Sequence, residues 1–126
     1  MKEDYIAAYE HLQKLSAKLA RDLRGPMSAF AQLNGAATAP GDLDARTKQL
    51  ITLGIGIAAR CEGCIAYHMH DAVRAGATRQ EILETMGIAI MMGGGPAVVY
   101  ACKALEALDQ FMAAGPGPAS AETPKK

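Results

Sequence analysis

An all-helical single domain is the fold this sequence predicts, and three observations carry the prediction. Half of the 126 residues are hydrophobic, yet there is no Trp and only two Phe and four Tyr, so the apolar mass is Ala, Leu, Ile, Val and Met. Strong helix formers dominate the composition. The β-branched residues nowhere alternate with polar ones in the way a half-buried strand requires. The length suits one hydrophobic core and not two. We expect about five or six helices in one domain over residues 1–113, with a flexible tail over residues 114–126.

The elements follow in order. Tyr5, Ile6, Tyr9, Leu12, Leu15, Leu19 and Leu23 recur at intervals of three and four, which makes residues 3–24 an amphipathic helix. Gly25-Pro26 is expected to stop it. A short helix through Met27, Phe30 and Leu33 follows, then a turn-rich connection over residues 34–42. A long helix from about Leu43 to Ala59 takes Asp42 or Asp44 as its N-cap. Its interior from Leu50 to Ala59 is apolar nearly all round, so it is expected at the centre of the fold. Gly54 and Gly56 each cost this helix about 1 kcal/mol of propensity, and close approach of a neighbouring helix is the ordinary reason to keep them. The next helix begins near Cys61 or Glu62 and continues to Ala75, where Gly76 is a C-terminal cap. Thr78-Arg79-Gln80-Glu81 is a capping box that opens a helix to about Met92. Gly93-Gly94-Gly95-Pro96 ends that helix and starts the last, which carries Val99, Cys102, Leu105, Leu108 and Met112.

Charge narrows the possible partners. Thirteen Lys plus Arg balance thirteen Asp plus Glu, a formal net charge of zero. No basic face and no interleaving of aromatic with basic residues is present, so nucleic acid is not an expected partner. Neutrality also removes one barrier to self-association, and so apolar a chain of this size is expected to bury surface between subunits. Met1-Lys2-Glu3-Asp4 leads into no apolar signal region, which makes the cytoplasm the expected compartment. The longest uncharged stretch, Met86 to Cys102, is interrupted by the glycine-proline run and is not expected to span a membrane.

The chemistry concentrates in Arg60-Cys61-Glu62-Gly63-Cys64-Ile65-Ala66-Tyr67-His68. On a helix, at about 100° per residue, Cys61, Cys64 and His68 fall within an arc of roughly 60°. Residues three and four apart can touch. That places a base beside one thiol and a second thiol within reach of a disulfide. The thiolate is the nucleophile, so the imidazole is what makes this cysteine pair a candidate redox centre. Cys61 at the helix start meets free N–H groups and the positive end of the dipole, with Arg60 adding to the effect. His68 favours a thiolate at Cys64 instead. The residues leave open which sulfur attacks.

Other readings stand beside this one. In a reducing compartment a C-x-x-C is catalytic or metal-binding more readily than structural. Zinc is the weaker alternative, because Cys61, Cys64 and His68 make three ligands where a structural site takes four. His70 points roughly 200° away from His68 on the same helix. An inert pair is the remaining possibility. His11 and His70 read as ordinary polar residues and Tyr67 as a packing residue. Met86, Met91 and Met92 read as core filler, and Cys102, among Val99, Ala101 and Leu105, as a small buried hydrophobe. Gly93-Gly94-Gly95-Pro96 reads as a tight helix–helix corner, since an anion cradle there has neither a P-loop lysine nor a preceding strand.

Several motifs in one order resemble a known family. They are Asp42-Leu43-Asp44, Thr47-Lys48-Gln49-Leu50-Ile51, Cys61-Glu62-Gly63-Cys64 with Ala66-Tyr67-His68, Ala75-Gly76-Ala77-Thr78-Arg79-Gln80-Glu81-Ile82, and Met92-Gly93-Gly94-Gly95-Pro96. From about residue 26 to 112 the chain is similar to the carboxymuconolactone decarboxylase superfamily, in its alkylhydroperoxidase D-like branch. The resemblance implies an all-helical homo-oligomer, commonly a trimer or hexamer, with thiol peroxidase or disulfide oxidoreductase activity and an antioxidant role. It implies a redox-active Cys61–Cys64 disulfide and no other cofactor or metal, a small hydroperoxide or disulfide substrate, and an external dithiol or thiol-protein reductant. It gives Cys64 the attack on peroxide, Cys61 the resolving role, and His68 assistance in deprotonation.

One position departs from the family pattern. The proton relay there includes a glutamate twelve residues before the first cysteine, and here Gln49 occupies it. An amide holds a hydrogen bond but cannot take up a proton as a carboxylate does. Its neutrality also leaves an imidazolium less favoured. Weak peroxidase turnover is therefore expected unless another carboxylate, such as Glu62, substitutes. Two rivals remain from other classes: a carboxymuconolactone decarboxylase-like lyase, disfavoured by possession of both thiols, and a non-enzymatic redox- or metal-sensing module.

Overall fold

A computed structural model describes residues 2–115 and contains six helices, with no strand among the described residues. They are α1 (Tyr5–Asp22), α2 (Arg24–Thr38), α3 (Ala45–Ala58), α4 (Glu62–Arg74), α5 (Arg79–Gly93) and α6 (Gly95–Ala114). The caps are local and follow from the residues. Asp4 Oδ1 accepts the Ala7 N–H at 3.0 Å and opens α1. Asp44, of the two candidates, opens α3 by accepting the Thr47 N–H at 2.8 Å. Thr78 and Glu81 complete the capping box of α5, each side chain accepting the other's backbone N–H. Gly94, at φ 73°, joins α5 to α6, and Pro96 sits in the first turn of α6, where no N–H is required. The expected tail lies outside the described residues beyond Gly115.

The second helix differs from expectation. Instead of a short helix ending near Leu33 and a turn-rich connection from residue 34, α2 continues to Thr38. Gly25-Pro26 does not terminate α1 as a stop, because the chain breaks one turn earlier, at Leu23, and Pro26 falls in the first turn of α2. A proline there forfeits only an N–H that has no partner within the helix. Asn34-Gly35 then sits inside a helix, with Thr38 Oγ1 donating back to the Asn34 carbonyl at 2.8 Å.

The core is built by α3 through α6. Helix α3 packs on α4 and α5, and α6 closes the other side against the same two helices. Leu53, Ile57, Ile65, Met69, Ile82 and Leu108 are the largest fully buried side chains. Gly54 and Gly56 stand where neighbouring helices come closest. A Cβ on Gly54 would lie 3.1 Å from Thr85 Cγ2 of α5, and one on Gly56 would lie 3.0 Å from Cys64 Cβ of α4. Helix α1 lies against α4 and α6, whereas α2 lies against α1 and α3 and buries none of its residues. No helix among the described residues is long and apolar enough to cross a membrane.

Several expectations about burial are corrected here. On α6 the buried stripe is Ala97, Ala101, Ala104, Ala107, Leu108 and Phe111, while Val99 and Leu105 are exposed. Alanines line most of the inward face because α6 approaches α4 and α5 closely, Leu108 and Phe111 fill it toward the C-terminal end, and Val99 and Leu105 are left outside. Cys102, one residue from Ala101 and so about 100° round the helix, is consequently exposed and not a buried hydrophobe. On α5, Met86 is core, but Met91 and Met92 are 68% and 73% exposed, since Ile82, Met86 and Ala89 define the inward face. Central α3 is likewise buried on one side only, with Ile51 and Ile55 facing out.

Candidate functional site

The turn between α3 and α4 creates the site. Helix α3 ends in a Schellman motif, in which the Arg60 N–H donates to the Ile57 carbonyl and the Cys61 N–H to the Gly56 carbonyl, both at 3.0 Å. The residue that turns the chain is Arg60, at φ 60°. It is the one described residue other than glycine with positive φ, a conformation that costs a side-chain-bearing residue roughly 1–2 kcal/mol. The end of α4 repeats the same hydrogen bonds, Gly76 to Val73 and Ala77 to Ala72, with glycine at the left-handed position.

Released in that direction, Cys61 becomes the N-cap of α4. Its Sγ accepts the Cys64 N–H at 3.2 Å. Cys61 and Cys64 are joined as a disulfide, with their Cα atoms 5.1 Å apart. Cys64 packs under α3, because Gly56 has no side chain to keep it away. Gly63, between the cysteines, is exposed but borders α1, where a Cβ would meet Leu12 Cδ2 at 3.4 Å.

His68 lies on α4 one turn beyond Cys64, a spacing at which Cβ atoms are about 5–6 Å apart. It is half-buried, and its Nδ1 is buried without a hydrogen-bond partner. Burial holds its pKa below the ordinary 6.5, with the Asp71 carboxylate partly offsetting the effect. A neutral imidazole at pH 7 follows, the form that can take a proton from a thiol. Gln49 Oε1 on α3 is also buried and also without a hydrogen-bond partner. The structure thus holds the thiol pair and His68 on one helix, and leaves Gln49 unbonded to His68. No ion pair joins Glu62, the candidate substitute carboxylate, to His68 among the described residues. Glu62 is exposed and pairs with Lys103 at 3.4 Å.

Long-range contacts of the site had no signal in the sequence. His70, read as an ordinary polar residue, stacks on Tyr9 of α1 with ring centroids 4.0 Å apart, and its Nδ1 pairs with Asp71 Oδ1 at 2.9 Å. Tyr67 packs against the same Tyr9 at 5.1 Å, and Phe111 meets Tyr9 edge-on at 6.2 Å. Tyr9 therefore pins α1 to the helix that carries the cysteines. Among the described residues no group of three or more His, Cys, Asp and Glu side chains is arranged to hold a metal ion.

Known proteins share this arrangement of helices. A carboxymuconolactone decarboxylase family protein of Legionella pneumophila, in its apo form, superimposes with a TM-score of 0.82 at 40% identity, over 85% of this chain and 96% of that one. A family member from Thermotoga maritima, described as a candidate for the antioxidative response, gives 0.76 at 31% identity over 85% and 91% of the two chains. An uncharacterised protein of Cupriavidus necator is 41% identical over 87 residues, which is 69% of this chain and 77% of the relative. An uncharacterised protein encoded in the cox locus of Paracoccus denitrificans is 39% identical over 103 residues, 79% and 93% of the two chains. Residues 26–107 match the sequence model of the carboxymuconolactone decarboxylase family, and the chain belongs to that family.

Proposed function

We infer that the protein is a thiol oxidoreductase of the alkylhydroperoxidase D-like kind, acting on small hydroperoxides through Cys61 and Cys64. One observation carries the reading: a disulfide at the start of α4 with a half-buried imidazole one turn above it. In the reduced enzyme, neutral His68 accepts the Cys64 proton. The Cys64 thiolate attacks a peroxide oxygen, the O–O bond breaks, and an alcohol or water leaves. Cys64 is then a sulfenic acid, on the reversible part of the oxidation ladder. The Cys61 thiolate attacks that sulfur, displaces water and closes the disulfide seen here. The Cys64 N–H directed at Cys61 Sγ favours the thiolate that this second step needs. External thiol groups, from a dithiol or another thiol reductant, supply two electrons and restore both protein thiols.

The antioxidative description of the Thermotoga relative supports this reading. The unpaired Gln49 supports a slow peroxidase, since no carboxylate is bonded to His68. A homo-oligomer is part of the proposal. Helix α2 buries no residue and leaves Phe30 and Leu33 exposed, and Ile51, Ile55, Ile88, Met91 and Met92 form further unpaired apolar surface. Surfaces of that kind are where subunits meet.

Thiol titration before and after one equivalent of hydroperoxide tests the function. We expect two thiols to disappear, mapped as a Cys61–Cys64 bridge, and Cys64→Ser to abolish the reaction. Retention of both thiols, or lactone decarboxylation that survives Cys64→Ser, would reject it.

A further inference from the structure

The geometry points to Arg60 as a specificity-determining residue that selects an anionic, carboxylate-bearing thiol as the reductant of the Cys61–Cys64 disulfide. This rests on the thiol-redox reading above and extends it to the class of the second substrate. The argument begins with what Arg60 does not do. Its backbone performs the left-handed turn that Gly76 performs at the end of α4. Its side chain is exposed, with no ion pair or hydrogen bond among the described residues. The fold uses the backbone of this residue and makes no use of its guanidinium.

The charge around the disulfide comes next. Glu62 is beside Cys61, but its carboxylate is matched by Lys103 at 3.4 Å. Arg60 is therefore an uncompensated charge at the entrance to α4. It is tethered to the residue next to Cys61, with Cα atoms about 3.8 Å apart, well inside the Debye length of about 30 Å at 0.01 M salt. A guanidinium presents a planar fork of donors that matches a carboxylate.

The disulfide also has a preferred side. Cys64 packs against α3 at Gly56, and its Sγ lies 4.0 Å from where a Gly56 Cβ would stand. Cys61 precedes the helix and adjoins Arg60. An incoming thiolate thus attacks Cys61 Sγ, forming one S–S bond as the Cys61–Cys64 bond breaks and the electron pair leaves on Cys64. The departing thiolate is the one beside His68, and exchange is faster when the leaving thiol is the more acidic. A second thiolate then attacks the sulfur of the bound reductant. It frees Cys61 as a thiolate and releases the oxidised reductant as its disulfide. Two electrons enter the protein, and each thiolate takes a proton from solvent.

The test starts from the oxidised protein with no peroxide present, so its outcome is independent of whether hydroperoxides are turned over. Reduction rates are measured with mercaptopropionate, mercaptoethanol and cysteamine at equal thiolate concentration, for wild type, Arg60→Gly and Arg60→Lys. Glycine suits the left-handed backbone, so Arg60→Gly folds. At 0.01 M salt, we expect the anionic-to-neutral rate ratio to fall roughly three- to tenfold in Arg60→Gly, as removal of one nearby charge implies. Arg60→Lys should restore most of it, cysteamine should show the opposite trend, and high salt should erase the differences. The trapped mixed disulfide should map to Cys61. An unchanged ratio in Arg60→Gly, or a mixed disulfide on Cys64, would overturn the proposal.

Discussion

Replacing Gly56 by alanine probes the contact that seats the reactive sulfur. The added methyl would lie 3.0 Å from Cys64 Cβ and 4.0 Å from its Sγ. Carbon atoms prefer separations of about 3.5–4.0 Å, so α3 and α4 must separate or Cys64 must shift by about half an ångström or more. Neither partner yields easily, because the Cys64 Cβ is fixed to the first turn of α4 and not carried on the end of a long side chain. Overpacking of this kind costs about 1–3 kcal/mol, against about 1 kcal/mol returned by alanine's better helix propensity. The net effect is a loss of up to about 2 kcal/mol. Gly35→Ala is the control: it gains the same propensity within α2, where nothing lies within 4 Å. The two variants should differ by about 1–3 kcal/mol in urea unfolding, at one protein concentration and with the disulfide intact. Peroxide-driven closure of the disulfide should slow in Gly56→Ala alone. If Gly56→Ala raised the unfolding midpoint as far as Gly35→Ala does, Cys64 would not be seated against α3 as described.

Three further outcomes follow from the same geometry. Arg60→Gly should raise stability by about 1 kcal/mol, because glycine adopts the left-handed turn without the Cβ clash; an unchanged urea midpoint would show that Arg60 is not strained. Burial lowers the His68 pKa from 6.5, so on acidification the unfolded chain takes up this proton before the folded one. Stability should therefore fall as pH drops from 6.5 toward the folded value, more steeply in wild type than in His68→Gln, and parallel profiles would contradict the assignment. Gln49→Glu should accelerate hydroperoxide-dependent disulfide formation, since a carboxylate near His68 favours the imidazolium formed when Cys64 loses its proton. Stopped-flow thiol loss reads this directly, and no gain in rate would count against a relay role for position 49.

The local features of the site were legible because they depend on spacing within one or two turns. Cys64 and His68 share a face of α4 because helical geometry puts residues four apart together, and Cys61, three before Cys64, caps that helix within disulfide reach. The capping box at Thr78 and the N-cap at Asp44 are equally short-range. Gln49 stood out only by comparison with a family pattern, and its burial without a partner came from packing. The stack of Tyr9 on His70 joins residues 61 positions apart in the chain, and no periodicity announces a contact of that range. Arg60 was misleading in a different way. Its left-handed turn is usually marked by glycine, and without that mark the sequence offered only a positive charge beside a thiol.

By itself, then, the sequence determined that the chain is helical, where most helices begin, and that two thiols and an imidazole fall on one helical face. Those properties come from backbone geometry and from hydrogen bonds between near neighbours. The tertiary structure decided which apolar face of each helix is buried: the alanine stripe of α6 instead of Val99 and Leu105, and Met86 instead of Met91 and Met92. It also decided that α2 runs on to Thr38 and that Leu12 of α1 borders Gly63. Several faces of these helices are apolar enough to bury. The choice among them is made by how closely distant helices can approach, and the volumes that limit that approach belong to residues far apart in the chain.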